Sequence, residues 1–251
     1  MQQELRIISK QKIARDTVEM VLENESISQV TVPGQFLHIH VQGHMLRRPI
    51  SIANVDASKN TITILFKILG EGTRKLSMYD VGDKIDVLGP NGNGFLLDNT
   101  TQASILLVGG GIGVPPLYYL AKKLTEQGTV VTAILGFQSK EHVFYEEKFR
   151  ELGNTIVVTN DGTYGEKGYV TNVSDEMLPI IDRYYSCGPL PMLKAVKERW
   201  STIPGYLSLE ERMGCGIGAC FACVIPTDDR GGYKKICQDG PVFTAEEVHL
   251  G

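Results

Sequence analysis

Ile105-Leu106-Leu107-Val108-Gly109-Gly110-Gly111-Ile112-Gly113-Val114-Pro115-Pro116 is the stretch from which the fold can be read. Four consecutive apolar residues suit a strand buried on both faces, as strands of a parallel sheet are. Glycines follow, and from Val114 to Glu126 apolar residues recur at helical spacing before a stop at Gly128. A helix that starts on a glycine turn offers unpaired N–H groups and partial positive charge, and the glycines let phosphate oxygens close on the backbone. Pro115 and Pro116 suit the first helical turn, where no intrahelical donor is lost. The run is not a regular G-x-G-x-x-G, so a plain strand-to-helix turn without a ligand is the competing reading.

Downstream the alternation continues. Val130–Leu135 reads as a strand, His142–Leu152 as a helix and Thr155–Val158 as a strand. Met177–Ile181 then reads as a short helix, Arg183–Ser186 as a strand and Pro191–Trp200 as a helix. Strands alternating with helices predict a parallel-sheet α/β domain over residues 99–203, ending near Ile203-Pro204-Gly205. Cys187-Gly188-Pro189 follows the last strand. Taken alone it is a buried small thiol and a turn; beside a dinucleotide site it would lie against a nicotinamide ring.

Upstream the pattern has a different period. Thr17–Leu22, Phe36–Val41, Ile50–Ala53, Thr61–Ile68 and Lys84–Leu88 are short β-branched or alternating runs, separated by Pro33-Gly34, Gly43, Asp56–Asn60, Gly70-Glu71-Gly72 and Gly89-Pro90-Asn91-Gly92. Such spacing predicts a small antiparallel barrel or sandwich over residues 1–98. Within it, Arg48 suits bidentate contact with a phosphate and the Ser51 hydroxyl supplies a second donor. A surface arginine beside an edge strand is the plain alternative. The Gly70-Glu71-Gly72-Thr73 turn offers free backbone and a hydroxyl to the same kind of ligand, or is a simple loop.

The last segment, residues 204–251, is too short to fold on a hydrophobic core of its own and is expected to need a metal. It carries Cys215, Cys220, Cys223 and Cys237, with Cys187 standing apart, while His38, His40, His44, His142 and His249 all lie outside the cysteine-rich stretch from Cys215 to Cys237. The spacing C-x4-C-x2-C…C is that of plant-type ferredoxins and assigns a [2Fe–2S] cluster. Gly214, Gly216 and Gly218 can turn backbone N–H groups toward sulfur, which stabilises the reduced cluster. Cys237 is expected to return on a hairpin, Val224–Ile236, whose tip is Asp228-Asp229-Arg230-Gly231-Gly232. Four thiolates on zinc, or four structural cysteines, are the alternatives; zinc ribbons pair two C-x2-C knuckles and this chain has one.

Composition sets the limits. The 251 residues carry 42% hydrophobic and 22% charged residues and a net charge of −4. That describes a globular protein without the basic face a nucleic acid requires. No apolar run of 18 residues exists to span a membrane, and Met1-Gln2-Gln3-Glu4-Leu5-Arg6 does not open like a signal peptide, so a cytoplasmic location is expected.

Together, Pro33-Gly34-Gln35-Phe36, Arg48-Pro49-Ile50-Ser51, Gly109–Gly113, Cys187-Gly188-Pro189 and the four cysteines resemble the ferredoxin–NAD(P) reductase superfamily. Over all three segments they resemble its branch that serves type B dihydroorotate dehydrogenases of Gram-positive bacteria as electron-transfer subunits. The resemblance implies a six-stranded antiparallel flavin-binding barrel, an α/β NAD-binding domain and a small C-terminal [2Fe–2S] subdomain. It implies FAD held by Arg48, Pro49, Ile50 and Ser51, by Leu65, Phe66 and Lys67, and by Gly72 and Thr73. NAD would enter over Gly109, Gly110, Gly111, Ile112 and Gly113, with Cys187, Gly188 and Pro189 by the nicotinamide. No substrate chemistry would occur on catalytic residues of this chain. Dihydroorotate would be oxidised at the FMN of a separate catalytic subunit, in a heterotetramer of two of each chain. Electrons would pass singly through the cluster to FAD and leave as hydride on NAD+, in pyrimidine (UMP) biosynthesis. Gly136-Phe137-Gln138-Ser139-Lys140 shows no acidic ribose partner, and Lys140 leaves a case for NADP. The competing functions are the same cofactor set with another partner, of the hydrogenase or ferredoxin-dependent transhydrogenase kind, and a zinc-stapled binding module without redox activity.

Overall fold

The computed structural model describes residues 2–98, 100–228 and 231–251. Six strands, β1 (Gln2–Ala14), β2 (Thr17–Glu23), β3 (Phe36–Ile39), β4 (Arg48–Asp56), β5 (Thr61–Lys67) and β6 (Lys84–Asn91), close into an antiparallel barrel in the order β1-β2-β5-β4-β3-β6. The strand period of two sends Leu5, Ile7, Met20, Leu37, Ile64 and Phe66 inward, where all are buried. Two short helices, α1 (Glu25–Val30) and α2 (Glu71–Leu76), lie in the connections. The sequence reading missed β1. Only Leu5 and Ile7 of its thirteen residues are buried, so its apolar alternation is too brief to see.

Beyond the barrel run β7 (Ser104–Gly110), α3 (Val114–Glu126), β8 (Val130–Phe137), α4 (Glu146–Arg150), β9 (Asn154–Thr159), β10 (Glu166–Lys167), β11 (Arg183–Cys187) and α5 (Leu190–Arg199). Their strands pair in parallel in the order β10-β9-β8-β7-β11. The run Ile105 to Val108 is shielded on both sides, as its unbroken apolarity predicts. Ile105 and Leu107 pack among the α3 residues Leu117 and Leu120, while Leu106 and Val108 pack with Tyr184 and Trp200.

Two predicted helices differ from what forms. In place of a helix over His142–Leu152, Tyr145 takes a left-handed backbone (φ +64°) and only α4 follows. That break lets Phe144 turn onto Phe137, ring centroids 5.2 Å apart, and buries Tyr145. In place of a helix over Met177–Ile181, one 3₁₀ turn spans Asp175–Met177, capped by the Ser174 hydroxyl. Leu178 precedes Pro179 and is extended, since the proline ring disfavours a helical residue before it.

The sheet does not stop at residue 203. Strands β12 (Gly205–Ser208) and β15 (Val242–Thr244) extend it beyond β11, β15 running antiparallel to β12. Between them β13 (Val224–Pro226) and β14 (Tyr233–Lys235) form the expected hairpin; Asp229 and Arg230 of its tip lie outside the described residues. The last segment therefore shares a core. Leu207, Met213, Ile225, Ile236, Phe243 and Val248 are buried in one cluster with Tyr184 and Trp200, so the segment does not rely on a metal alone for its folding.

Helix α3 fixes the barrel to the sheet. Tyr119 donates its hydroxyl to the Thr31 carbonyl (3.0 Å) and Lys122 donates to Asn54 Oδ1 (2.7 Å). Farther round, the buried Glu19 carboxylate of β2 accepts from Tyr145, from Gln11 (2.6 Å) and from Lys148 (3.2 Å). All of these bonds except that of Gln11 cross from one domain to the other.

Candidate cofactor cleft and cysteine loop

A cavity of about 740 Å3 lies where barrel, parallel sheet and C-terminal segment meet. That is within the range of small-molecule sites, roughly 300–1,000 Å3. The barrel contributes Pro49, Ser51 and Lys67; the sheet contributes Gly110, Gly111, Ile112, Gly113, Cys187, Gly188 and Pro189. From the last segment come Glu210, Met213 and Ile236, the residue before Cys237. Residues far apart in sequence and assigned to two different cofactors thus share one cleft, and residues flanking the four cysteines, though none of the cysteines themselves, close it.

Arg48 and Gly72 meet on the barrel next to the lining residue Pro49, without lining the cavity themselves. A β-carbon on Gly72 would collide with the Arg48 guanidinium, which lies over that glycine, donates to the Leu46 carbonyl (2.5 Å) and stands 3.4 Å from His44 Nδ1. The glycine is the seat of the arginine. Thr73 has a different job from the one expected of its hydroxyl: Oγ1 accepts from the N–H groups of Leu69 (3.0 Å) and Gly70 (3.3 Å), closing the first turn of α2. Leu65 and Phe66 are buried in the interdomain and barrel cores, which leaves only their backbone for a ligand; of the three neighbours Lys67 alone reaches the cleft. Ile50 packs against the barrel core and does not line the cavity.

The glycine run divides its labour. Gly111 has φ +53°, and a β-carbon there would meet nothing within 4 Å, so its backbone lies open. Gly113 has no such space: a β-carbon would strike the Cys187 carbonyl, and the two loops can touch only because it is glycine. Gly109 faces Val114 and Leu117 and serves packing of strand on helix, while Gly110 faces Pro189 and Met192. Burial pushes the Cys187 thiol up to about 12, against a hydrogen bond with Ser208, so the group is an uncharged, polarisable wall and not a nucleophile. Burial and the neighbouring charge of Glu211 also hold the Glu210 carboxyl above its ordinary value.

Around the other cysteines the backbone is arranged for anionic sulfur. Gly216 (φ +73°) and Gly218 (φ +78°) turn the chain so that Cys215 Sγ accepts from the N–H groups of Ile217 (3.5 Å) and Cys220 (3.4 Å), and Cys237 Sγ from that of Gly218 (3.2 Å). Burial would raise the Cys215 thiol, but the N–H groups of Ile217 and Cys220 outweigh it and bring it down to about 7. None of the five cysteines is in a disulfide. Among the described residues, no three His, Cys, Asp or Glu side chains are gathered as tightly as a single ion requires. A binuclear cluster divides its four thiolates between two irons, and the donor set, all thiol with N–H groups aimed at sulfur, fits it.

The barrel grips this loop. Asn93 N–H donates to the Gly240 carbonyl (2.6 Å) and its side chain to that of Asp239 (3.0 Å). Gly216 rests on His38, whose ring a β-carbon there would overlap. His38 is fully buried, and neither ring nitrogen has a hydrogen-bond partner. Burial and the nearby Arg47 and Arg48 lower its pKa to about 4. Sequence reasoning missed His38, Glu210, Glu211 and Met213. For His38 the available signal was its outward phase on β3, shared with the cleft residue Phe36; for the others it was their place immediately before Cys215.

Three family models match successive stretches of the chain. Residues 4–95 match the oxidoreductase FAD-binding domain family, residues 107–198 the oxidoreductase NAD-binding domain family, and residues 210–249 the iron–sulfur cluster binding domain of dihydroorotate dehydrogenase B. The chain is 54% identical over 253 residues to the "Dihydroorotate dehydrogenase B (NAD(+)), electron transfer subunit" of Bacillus pumilus (strain SAFR-032), covering 98% of this chain and 97% of that one. It is 50% identical over 252 residues to the protein of the same description from Shouchella clausii (strain KSM-K16), covering 98% and 97%. A solved structure described as "Insights into flavin-based electron bifurcation via the NADH-dependent reduced ferredoxin-NADP oxidoreductase structure" superposes with a TM-score of 0.90 at 33% identity, covering 98% of this chain and 90% of that chain. The match over residues 210–249 is to an iron–sulfur family, and the zinc-stapled alternative gives way to it. No helix among the described residues is long and apolar enough to cross a membrane.

Proposed function

The chain belongs to the family of dihydroorotate dehydrogenase B (NAD(+)) electron transfer subunits, and from that premise we propose how its residues divide the work. It is an oxidoreductase subunit that uses FAD, NAD and a [2Fe–2S] cluster. Bound FAD supplies the exchange between single electrons and a hydride, which the protein only has to position. Arg48, seated on Gly72, holds the flavin pyrophosphate; Pro49 and Ser51, with Lys67 and the backbone of Ile50, Leu65 and Phe66, line the ring. Gly72 and Thr73 shape the turn beneath. Gly110, Gly111, Ile112 and Gly113 receive the NAD phosphates, Gly109 closes strand on helix behind them, and Cys187, Gly188 and Pro189 form the wall for the nicotinamide. Cys215, Cys220, Cys223 and Cys237 hold the cluster.

The partner is an FMN-containing dihydroorotate dehydrogenase catalytic subunit, joined as two of each chain in a cytoplasmic complex of UMP biosynthesis. Ile217, Phe221 and Tyr233 support a docking face at the cysteine loop: they are 65%, 62% and 43% exposed and apolar, beside thiols that are themselves partly exposed. One observation carries the reading: barrel residues, glycine-loop residues and residues flanking the cysteine loop line a single cleft. The same architecture in a ferredoxin–NADP oxidoreductase favours a second reading, with a different partner on the same cofactors. Co-expression with the dihydroorotate-oxidising chain separates them. The first reading predicts a stable complex with stoichiometric FAD, iron and acid-labile sulfide that forms NADH from dihydroorotate; absence of a complex overturns it.

A further inference from the structure

The strongest unexplained feature of the molecule is His38. Buried polar side chains in folded proteins are almost always hydrogen-bonded, and each exception calls for a reason. Here both ring nitrogens are fully enclosed and unpartnered, on a strand in regular register with β4 but bulged against β6 between Phe36 and His38. A neutral imidazole has one nitrogen that donates and one that accepts, so both capacities are idle.

Its surroundings say what is missing. On β3 it shares a face with Phe36, and its cross-strand neighbour is Pro49; both of these line the flavin end of the cleft. Across the ring lies Gly216, the residue after Cys215, which approaches this closely only because it has no β-carbon. A side chain at 216 would overlap the ring; the glycine lets the ring lie directly against the backbone of the cysteine loop. No thiol of the chain bonds to either ring nitrogen, which leaves the imidazole N–H free for an acceptor that comes with the bound group. The sulfurs of an iron–sulfur centre are such acceptors, and donors aimed at them stabilise its reduced state.

We propose that His38 is a positioning residue of the iron–sulfur centre, its imidazole N–H donating to an inorganic sulfide of the cluster and raising its reduction potential. The proposal rests on the reading that Cys215, Cys220, Cys223 and Cys237 hold that cluster. It adds a donor from the flavin domain to the backbone donors of Ile217, Gly218 and Cys220, and so ties the cluster to the barrel on which the flavin lies.

The test uses the complete protein with its FAD and cluster, labelled with ¹⁵N at histidine only and reduced for pulsed EPR. A weak ¹⁵N coupling to the reduced cluster is expected, and it should vanish in His38→Leu or, if that variant does not load, in His38→Gln compared at its own nitrogen. In parallel, His38→Leu should make reduction of the cluster about tenfold less favourable, a fall of ~59 mV for one electron. His38→Gln, which keeps an N–H, should recover most of that loss. A fully loaded wild-type protein without the coupling overturns the proposal, as does a shift confined to the flavin potential. Loss of iron and acid-labile sulfide from the wild-type protein would instead overturn the cluster assignment beneath it.

Discussion

Arg48 shows how much of a site one residue type discloses. An arginine three positions before a serine pointed to phosphate binding, but nothing in the sequence said where the guanidinium would rest. The structure puts it over Gly72, 24 positions on, where a side chain would displace it. Arg48→Ala should lower FAD affinity by ~1.5–3 kcal/mol, the worth of a charge-assisted hydrogen bond. Gly72→Ala should do the same with the arginine intact. Flavin content after dilution and gel filtration measures both; unchanged retention in either variant contradicts the seating. His38 was invisible for the opposite reason. The histidines avoid the cysteines along the chain, and only barrel closure brings one of them under Gly216.

At the scale of elements, long patterns were readable and interrupted ones were not. The strand–glycine–helix unit formed where Ile105 to Glu126 predicted it, because apolarity on both faces and helical spacing leave few alternatives. The segment after Ser139 misled because Tyr145 leaves the helical region to bury its ring, a choice made by tertiary packing. β1 hid behind its charged outward face. Contact between the Gly113 and Cys187 loops gives this scale its test. Gly113→Ala should force the loops apart, raising KM for NADH at a cost of about 1–3 kcal/mol, typical of overpacking, while FAD stays bound. A normal KM would mean that the close approach has no role in binding the nucleotide. Phe221→Asp on the cysteine loop should weaken co-purification of the catalytic subunit and leave FAD and cluster content at the wild-type level; undiminished co-purification would move the docking face elsewhere.

The whole molecule depends on how its two large domains are held. Three segments were legible in the sequence, whereas the bonds between them were not, since Glu19 and Tyr145 are single residues 126 positions apart. Burial opposes ionisation of Glu19, yet hydrogen bonds from Tyr145 and Gln11 and the charge of Lys148 outweigh it, holding the carboxyl below its ordinary value. A carboxylate depressed in the folded state stabilises the fold above its unfolded pKa, near ~4.3, and the contribution disappears as pH falls through the lower folded value. Tyr145→Phe should therefore cost about 1–3 kcal/mol at neutral pH, several degrees in Tm, and move the acid-unfolding limb to higher pH. Thermal melts across pH 3–8 measure it, and an unchanged acid limb would remove Glu19 from the interdomain lock.

In the proposed function the cysteine loop lies on the electron path between the partner and this chain's own flavin. The decisive measurement is the rate of dihydroorotate-dependent NADH formation by Cys220→Ser assembled with the catalytic subunit and saturated with FAD. That rate should be lost while NADH still bleaches the FAD. Retention of the coupled rate in protein shown to lack the cluster would contradict that placement.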